Sequence, residues 1–146
     1  MPSLSIIVPH KNDALRLELC LRGLAAQVQR GDEVVVVDNG SAGAARAAAE
    51  GACLKNGARF WQCERGGSYA ARNVGIEHAC NDVLVFTDAD CRPAAEFLAS
   101  YRAWFAGKAG PAIAAGPVVL VPARNGRFNA WECIDLVYGF PQAEMV

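Results

Sequence analysis

Apolar residues in this chain fall into short continuous runs, separated by longer stretches in which they recur at helical spacing. The clearest runs lie at residues 4–8, 33–37 and 83–87, and the second contains four consecutive valines. A half-exposed strand alternates apolar and polar positions; a continuous β-branched run predicts a strand buried on both faces, as in parallel sheets. Residues 59–63 and 113–121 read as two further strands, and Pro9 is expected to stop the first. Between the runs, residues 13–29 carry Leu17, Leu21, Leu24 and Val28 on one helical face, with Asn12 or Asp13 to cap the start. The alanine-rich residues 44–54 and residues 69–79 also read as helices, and Asn56-Gly57 ends the first of them. Pro93 suits a helix start, so residues 94–108 are expected to be helical, with Phe97, Leu98, Tyr101 and Phe105 for a buried face. Residues 128–138 present Trp131, Ile134 and Val137 in the same way. Strands alternating with helices predict an α/β fold with a mostly parallel sheet and right-handed crossovers.

Composition narrows this picture. With 146 residues, 53% hydrophobic and 20% charged, the chain is expected to form one domain with a real core. A net charge of −1 without any block of like charge counts against a nucleic-acid partner and against a polybasic membrane patch. The first apolar stretch stops at Pro9 and does not read as a signal peptide. The low-polarity residues 109–123 are broken by Gly110, Pro111, Gly116, Pro117 and Pro122, so no transmembrane segment is expected. None of the six cysteines forms a C-x-x-C pair, which reads as reduced thiols rather than a zinc site. Cys91 stands beside two acidic residues, but no base is visible near it in sequence. The expected location is the cytoplasm, either free or peripheral to the membrane.

The chemistry gathers at the strand ends. The run 83–87 leads into Asp88-Ala89-Asp90. Residues two apart in extended backbone point the same way, so both carboxylates leave the strand on one side. A hard divalent cation shared with substrate phosphates would reconcile them; an acidic turn is the alternative. The other strands end in Pro9-His10-Lys11-Asn12, Asp38-Asn39-Gly40-Ser41 and Arg65-Gly66-Gly67. Ligands of open parallel sheets bind outside the carboxyl ends of the strands, so four polar loops on one rim predict a single site. Each piece has a second reading. Asp38 is a turn residue or a ligand to a ribose or base. Gly66-Gly67 allows a tight turn or the close approach of a ligand to a helix N-terminus. Arg72 pairs with a surface carboxylate or points its fork at a base or phosphate. His10 is a packed loop residue or a contact, and His78 reads as solvated. The first loop has no glycine, so a G-x-G-x-x-G dinucleotide site is excluded, and no Walker A loop is present.

These residues resemble the N-terminal half of family 2 glycosyltransferases. The matching segments are Ser5-Ile6-Ile7-Val8-Pro9 with Asn12, Cys20-Leu21 and Gln27; Val34 through Ser41; Gly67 with Ala71-Arg72-Asn73-Val74-Gly75-Ile76; and Phe86-Thr87-Asp88-Ala89-Asp90. The resemblance covers residues 4–120 and, less specifically, 128–141. It implies a GT-A fold, a Rossmann-like three-layer sandwich around a mostly parallel sheet, whose C-terminal part is missing from this chain. Residues 4–120 would be a nucleotide-binding core and 121–146 the start of an acceptor-side region. The implied activity is transfer of a sugar from a nucleoside-diphosphate sugar, by family habit a UDP-sugar, to a saccharide or lipid-linked acceptor, with inversion. In that reading Pro9, His10 and Asn12 wall the nucleotide pocket and Asp38 bonds the base. Gly67 and Arg72 sit near the nucleotide, Asp88 faces ribose and metal, and Asp90 ligates Mg²⁺ or Mn²⁺. The family's general base is an acidic residue later in the chain, expected beyond Val146; Glu132, Asp135 and Glu144 are the last carboxylates here. Two other readings stand beside this one: a non-catalytic nucleotide-sugar-binding module, and a phosphohydrolase of the haloacid-dehalogenase type, which also carries D-x-D after a strand.

Overall fold

A computed structural model describes residues 1–122, 126–129 and 133. The chain divides into two compact units, Met1–Ala112 and Ile113–Val146. The first contains β1 (Leu4–His10), α1 (Ala14–Ala25), β2 (Glu33–Asp38), α2 (Gly43–Lys55), β3 (Arg59–Gln62), α3 (Ser68–His78), β4 (Val83–Phe86) and α4 (Phe97–Ala106). The strands form one sheet in the order β3-β2-β1-β4, and every pairing is parallel.

The strand side chains sort by parity, as the pleat requires. Leu4, Ile6 and Val8 of β1, Val34 and Val36 of β2 and Val85 of β4 pack with Leu17, Leu21 and Leu24 of α1, Ala49, Ala52 and Cys53 of α2 and Leu98 of α4. Val35 and Val37 turn to the opposite face, against Ala71 and Val74 of α3. Both faces are covered, which is why β1 and β2 read as unbroken apolar runs. Gly75 lets α3 approach β1 closely: a Cβ there would fall 2.4 Å from Ile7 Cγ2.

Four expectations need correction. Pro9 does not end β1, which continues to His10 opposite Asp38. On the β4 side the ladder finishes with Thr87 N–H donating to the Ile7 carbonyl, while the His10 carbonyl accepts from Asn39 on the β2 side. Pro9, lacking an N–H, stands just past the last β1–β4 pair, Ile7 with Phe86, where it interrupts only that side's ladder. The helix expected from residue 94 begins at Phe97, and α1 stops at Ala25 rather than running to residue 29. Gln27 explains both. Its amide nitrogen donates to the Gly23 and Ala94 carbonyls, and its oxygen accepts from Leu98 N–H, so one side chain fastens the end of α1 to the start of α4. Finally, residues 113–121 form no strand but irregular backbone, with Ile113 94% exposed. Pro117, inside the run, lacks the N–H that a strand ladder needs. The helix expected at 128–138 lies outside the described residues apart from 128, 129 and 133, as do Glu132, Asp135 and Glu144.

The connections β1–α1–β2 and β2–α2–β3 step in one direction, and β3–α3–β4 returns to the other side of β1. The sheet therefore reverses its winding between β1 and β4. A crevice opens outside the strand ends at such a switch point.

Candidate functional site

A cleft of about 600 Å³ lies at this rim, lined by Pro9 and His10 at the end of β1 and Lys11 after it, Asp13 and Arg16 at the start of α1, Asn39 after β2, Gly67, Ser68 and Arg72 at the N-terminal end of α3, and Asp88, Ala89 and Asp90 after β4. Six of the residues singled out in the sequence meet here: Pro9, His10, Gly67, Arg72, Asp88 and Asp90. Asp38 and Asn12 do not line the cleft; they hold its floor together. Asp38 is buried, accepts from Ser41 N–H at 3.0 Å and from the Ser41 hydroxyl, and faces His10 Nδ1 at 3.2 Å. An ionised carboxylate only accepts, so Nδ1 carries the hydrogen in this pair. Burial pushes the Asp38 carboxyl up, but the Ser41 hydroxyl and N–H and then His10 together outweigh it and leave it below the usual carboxylate range. Asn12 adopts φ 60°, accepts from Ala42 N–H at 2.9 Å and donates its own N–H to Ser41 Oγ at 2.8 Å. The loops after β1 and β2 are thus one bonded unit.

Asn39 ties in the third loop. Its amide donates to the Arg65 carbonyl and accepts from Gly67 N–H, both at 2.8 Å. Gly67 is the N-cap of α3 with φ 109°, backbone that favours glycine, and no side chain caps the helix there. The N-terminus of α3, with its partial positive charge, opens on the cleft through Ser68.

The fourth loop carries the acidic pair. Arg72 Nη2 donates to Asp88 Oδ1 at 2.5 Å, whereas Asp90 has no hydrogen bond or ion pair among the described residues. The Asp88 carbonyl accepts from Cys91 N–H at 3.0 Å and from the buried Cys20 thiol at 3.7 Å. Burial first, then Cys91 and the carboxylates of Asp90 and Asp88, push the Cys20 thiol up to about 12, so it keeps its proton and serves as a donor. Both Asp88 and Asp90 offer only hard carboxylate oxygens, a donor type that suits Mg²⁺ or Mn²⁺. Among the described residues no group of three or more His, Cys, Asp or Glu side chains gathers, so ligand oxygens or water would have to complete a coordination shell.

Sequence reasoning missed Asp13, Arg16 and Ser68, and gave Lys11 and Asn39 no role. For Asp13 and Arg16 the signal was positional: they open α1 immediately after the β1 loop, where a first helical turn must border the rim. Asn39 was hidden because its work is to join two loops 26 residues apart in sequence.

The sequence profile of Glycosyl transferase family 2 matches residues 5–134. The chain belongs to that family, and membership displaces the phosphohydrolase reading of D-x-D. The glycosyltransferase AglE of Haloferax volcanii is 36% identical over 102 residues, which cover 67% of this chain and 34% of AglE. Among solved structures, the mannosyltransferase PcManGT from Pyrobaculum calidifontis, in complex with GDP-Man and Mn²⁺, is 31% identical with a TM-score of 0.63, covering 72% of this chain and 32% of that one. TarS residues 1–349 of S. aureus, in complex with UDP-GlcNAc, is 28% identical with a TM-score of 0.60, covering 71% and 31%. The chain spans about a third of the length of these relatives. Among the described residues no helix is long and apolar enough to cross a membrane.

Proposed function

We propose that the rim cleft binds a nucleoside-diphosphate sugar, with uridine as the base, and that the chain is the donor-binding portion of an inverting glycosyltransferase. The observation that carries this reading is the convergence of the uncapped α3 N-terminus, Arg72 and the Asp88/Asp90 pair on one cleft at the switch point. That set offers backbone N–H groups, a guanidinium and two hard carboxylates, the means to hold a diphosphate together with a divalent cation. Likeness to relatives crystallised with GDP-Man and Mn²⁺ or with UDP-GlcNAc supports the same ligand class.

In this reading Asp88 and Asp90 hold Mg²⁺ or Mn²⁺, which when bound offsets charge on the departing nucleoside diphosphate. Pro9 and His10 wall the nucleotide. Asp38 fixes the His10 ring and the Ser41 turn, and with Asn12 sets the shape of the floor on which the base would rest. Arg72 supplies a planar donor fork to the nucleotide. The acceptor would be a saccharide or lipid-linked hydroxyl. The cytoplasm, free or at the membrane surface, is the proposed location.

Calorimetric titration of UDP, GDP and dTDP, with Mn²⁺ and with chelator, tests the reading. UDP is expected to bind best and to need the metal. If none of the three binds in Mn²⁺, the reading fails; if GDP binds best, the choice of base fails.

A further inference from the structure

The two carboxylates of the acidic pair are not equivalent. Asp88 is held by Arg72 at 2.5 Å, while Asp90, two residues on and exposed, has no partner among the described residues. Arg72 rises from the first turns of α3, and its guanidinium lies 5.9 Å from the centroid of the exposed Tyr69 ring. Its side chain is 26% exposed and that of Asp88 55%, so the pair stands at the open edge of the cleft, where a side chain can exchange partners without unpacking the core. A guanidinium and a dication cannot both sit close against one carboxylate oxygen without repelling each other.

We propose that Arg72 and the divalent cation compete for Asp88, and that a diphosphate settles the competition by drawing the guanidinium onto its own oxygens. This rests on the nucleotide-sugar reading above and adds a positioning role for Arg72 toward the metal. Arginine is matched to phosphate by its planar fork and makes paired, charge-assisted hydrogen bonds to it. Diphosphate arrival then has two effects: it removes the competitor from Asp88, and it adds oxygens to the shell that the pair alone leaves incomplete. Cation and nucleotide therefore bind cooperatively, and by linkage each tightens the other by the same factor. The tie is weak enough to yield, since a half-exposed ion pair is worth only a few-fold in an equilibrium constant.

The experiment is a Mn²⁺ titration of the full chain, following free Mn²⁺ by its paramagnetic resonance signal, with and without saturating UDP. Without UDP, Arg72→Met is expected to bind Mn²⁺ about two- to fivefold more tightly than the wild type, because Asp88 is released from the competing ion pair. In an Asp88→Asn background the same substitution is expected to bring no gain. UDP is expected to raise Mn²⁺ affinity by a larger factor in the wild type than in Arg72→Met. Arg72→Gln carries the same expectations with a polar side chain, so a folding failure of one substitution leaves the other to decide. Arg72 variants that bind Mn²⁺ no more tightly than the wild type without UDP, or a gain that survives Asp88→Asn, would overturn the competition and leave the nucleotide-sugar reading standing. Wild type that binds no Mn²⁺ even with saturating UDP would overturn both.

Discussion

His10 and Asp38 face each other across the last paired position of β1 and β2, with Nδ1 3.2 Å from Oδ1 and side chains 0% and 2% exposed. A buried carboxylate with three hydrogen-bond donors around it anchors the floor of the cleft only while ionised. Its carboxyl is held below the ordinary range, so its stabilising contribution is present above the unfolded-state value and is lost as pH falls through the folded-state value. Asp32 and Glu33, whose carboxyls are also held low despite burial, act with the same sign. Urea unfolding at pH 7, 5 and 3.5 is expected to show stability nearly level from 7 to 5 and falling steeply below about 4. Asp38→Asn is expected to lose about 1–3 kcal/mol at pH 7, by setting an amide donor against the Ser41 donors, and to flatten the acid limb.

Arg102 and Asp32 form a second buried pair, at the other end of the sheet. The guanidinium makes two contacts, at 3.0 and 2.7 Å, and also donates to the Pro2 carbonyl at 3.0 Å, with side chains 4% and 0% exposed. Removing one member leaves a buried charge unpaired, so Arg102→Met is expected to cost about 3 kcal/mol in urea unfolding. Asp32 also accepts from Leu4 N–H at the start of β1, the end of the sheet away from the rim. Nucleotide affinity of the folded variant is therefore expected to stay at the wild-type level.

Gly75 marks where α3 meets β1. With a Cβ placed 2.4 Å from Ile7 Cγ2, Gly75→Ala is expected to destabilise by about 1–3 kcal/mol through overpacking, despite alanine's better helix propensity. The same substitution in an Ile7→Ala background is expected to cost less. A thermal-unfolding double-mutant cycle measures the difference.

Gly67 tests the third loop. At φ 109° and ψ 142° its backbone is in territory that side-chain-bearing residues avoid, and its N–H is the donor that fixes Asn39. Gly67→Ala is expected to introduce about 1–3 kcal/mol of local strain. Because that strain is confined to a loop bordering the cleft, UDP affinity measured by calorimetry is expected to fall by about tenfold, more than global stability does.

The elements whose cause is local were legible in the sequence. The valines of β2 and the apolar run of β1 announced strands buried on both faces, and the polar strand ends announced the rim. What escaped was set by long-range partners. The end of α1 and the start of α4 depend on Gln27 reaching Ala94 and Leu98, which no periodicity reveals. The apolar residues 113–121 read as a strand because their hydrophobicity was given more weight than Pro117, whose missing N–H works against a ladder there. Within the site, the residue types at the cleft were visible, but the division of labour was not. Asp38 and Asn12 hold the floor from beneath, while Arg16 and Asp13 reach the cleft itself because the first turn of α1 borders it.

A nucleoside diphosphate and a divalent cation are proposed to meet at the carboxyl rim, on Asp88 and Asp90. That meeting is tested most directly by the paramagnetic broadening of backbone amide resonances when substoichiometric Mn²⁺ is added to the chain with UDP. Broadening is expected to centre on residues 88–91, extending to 10–12, 39–41 and 66–72, and sparing 30–33, 57–59 and 80–82 at the opposite end of the strands. The pattern is also expected to disappear in Asp90→Ala. Broadening centred at that opposite end, or a rim pattern unchanged in Asp90→Ala, would contradict this proposal.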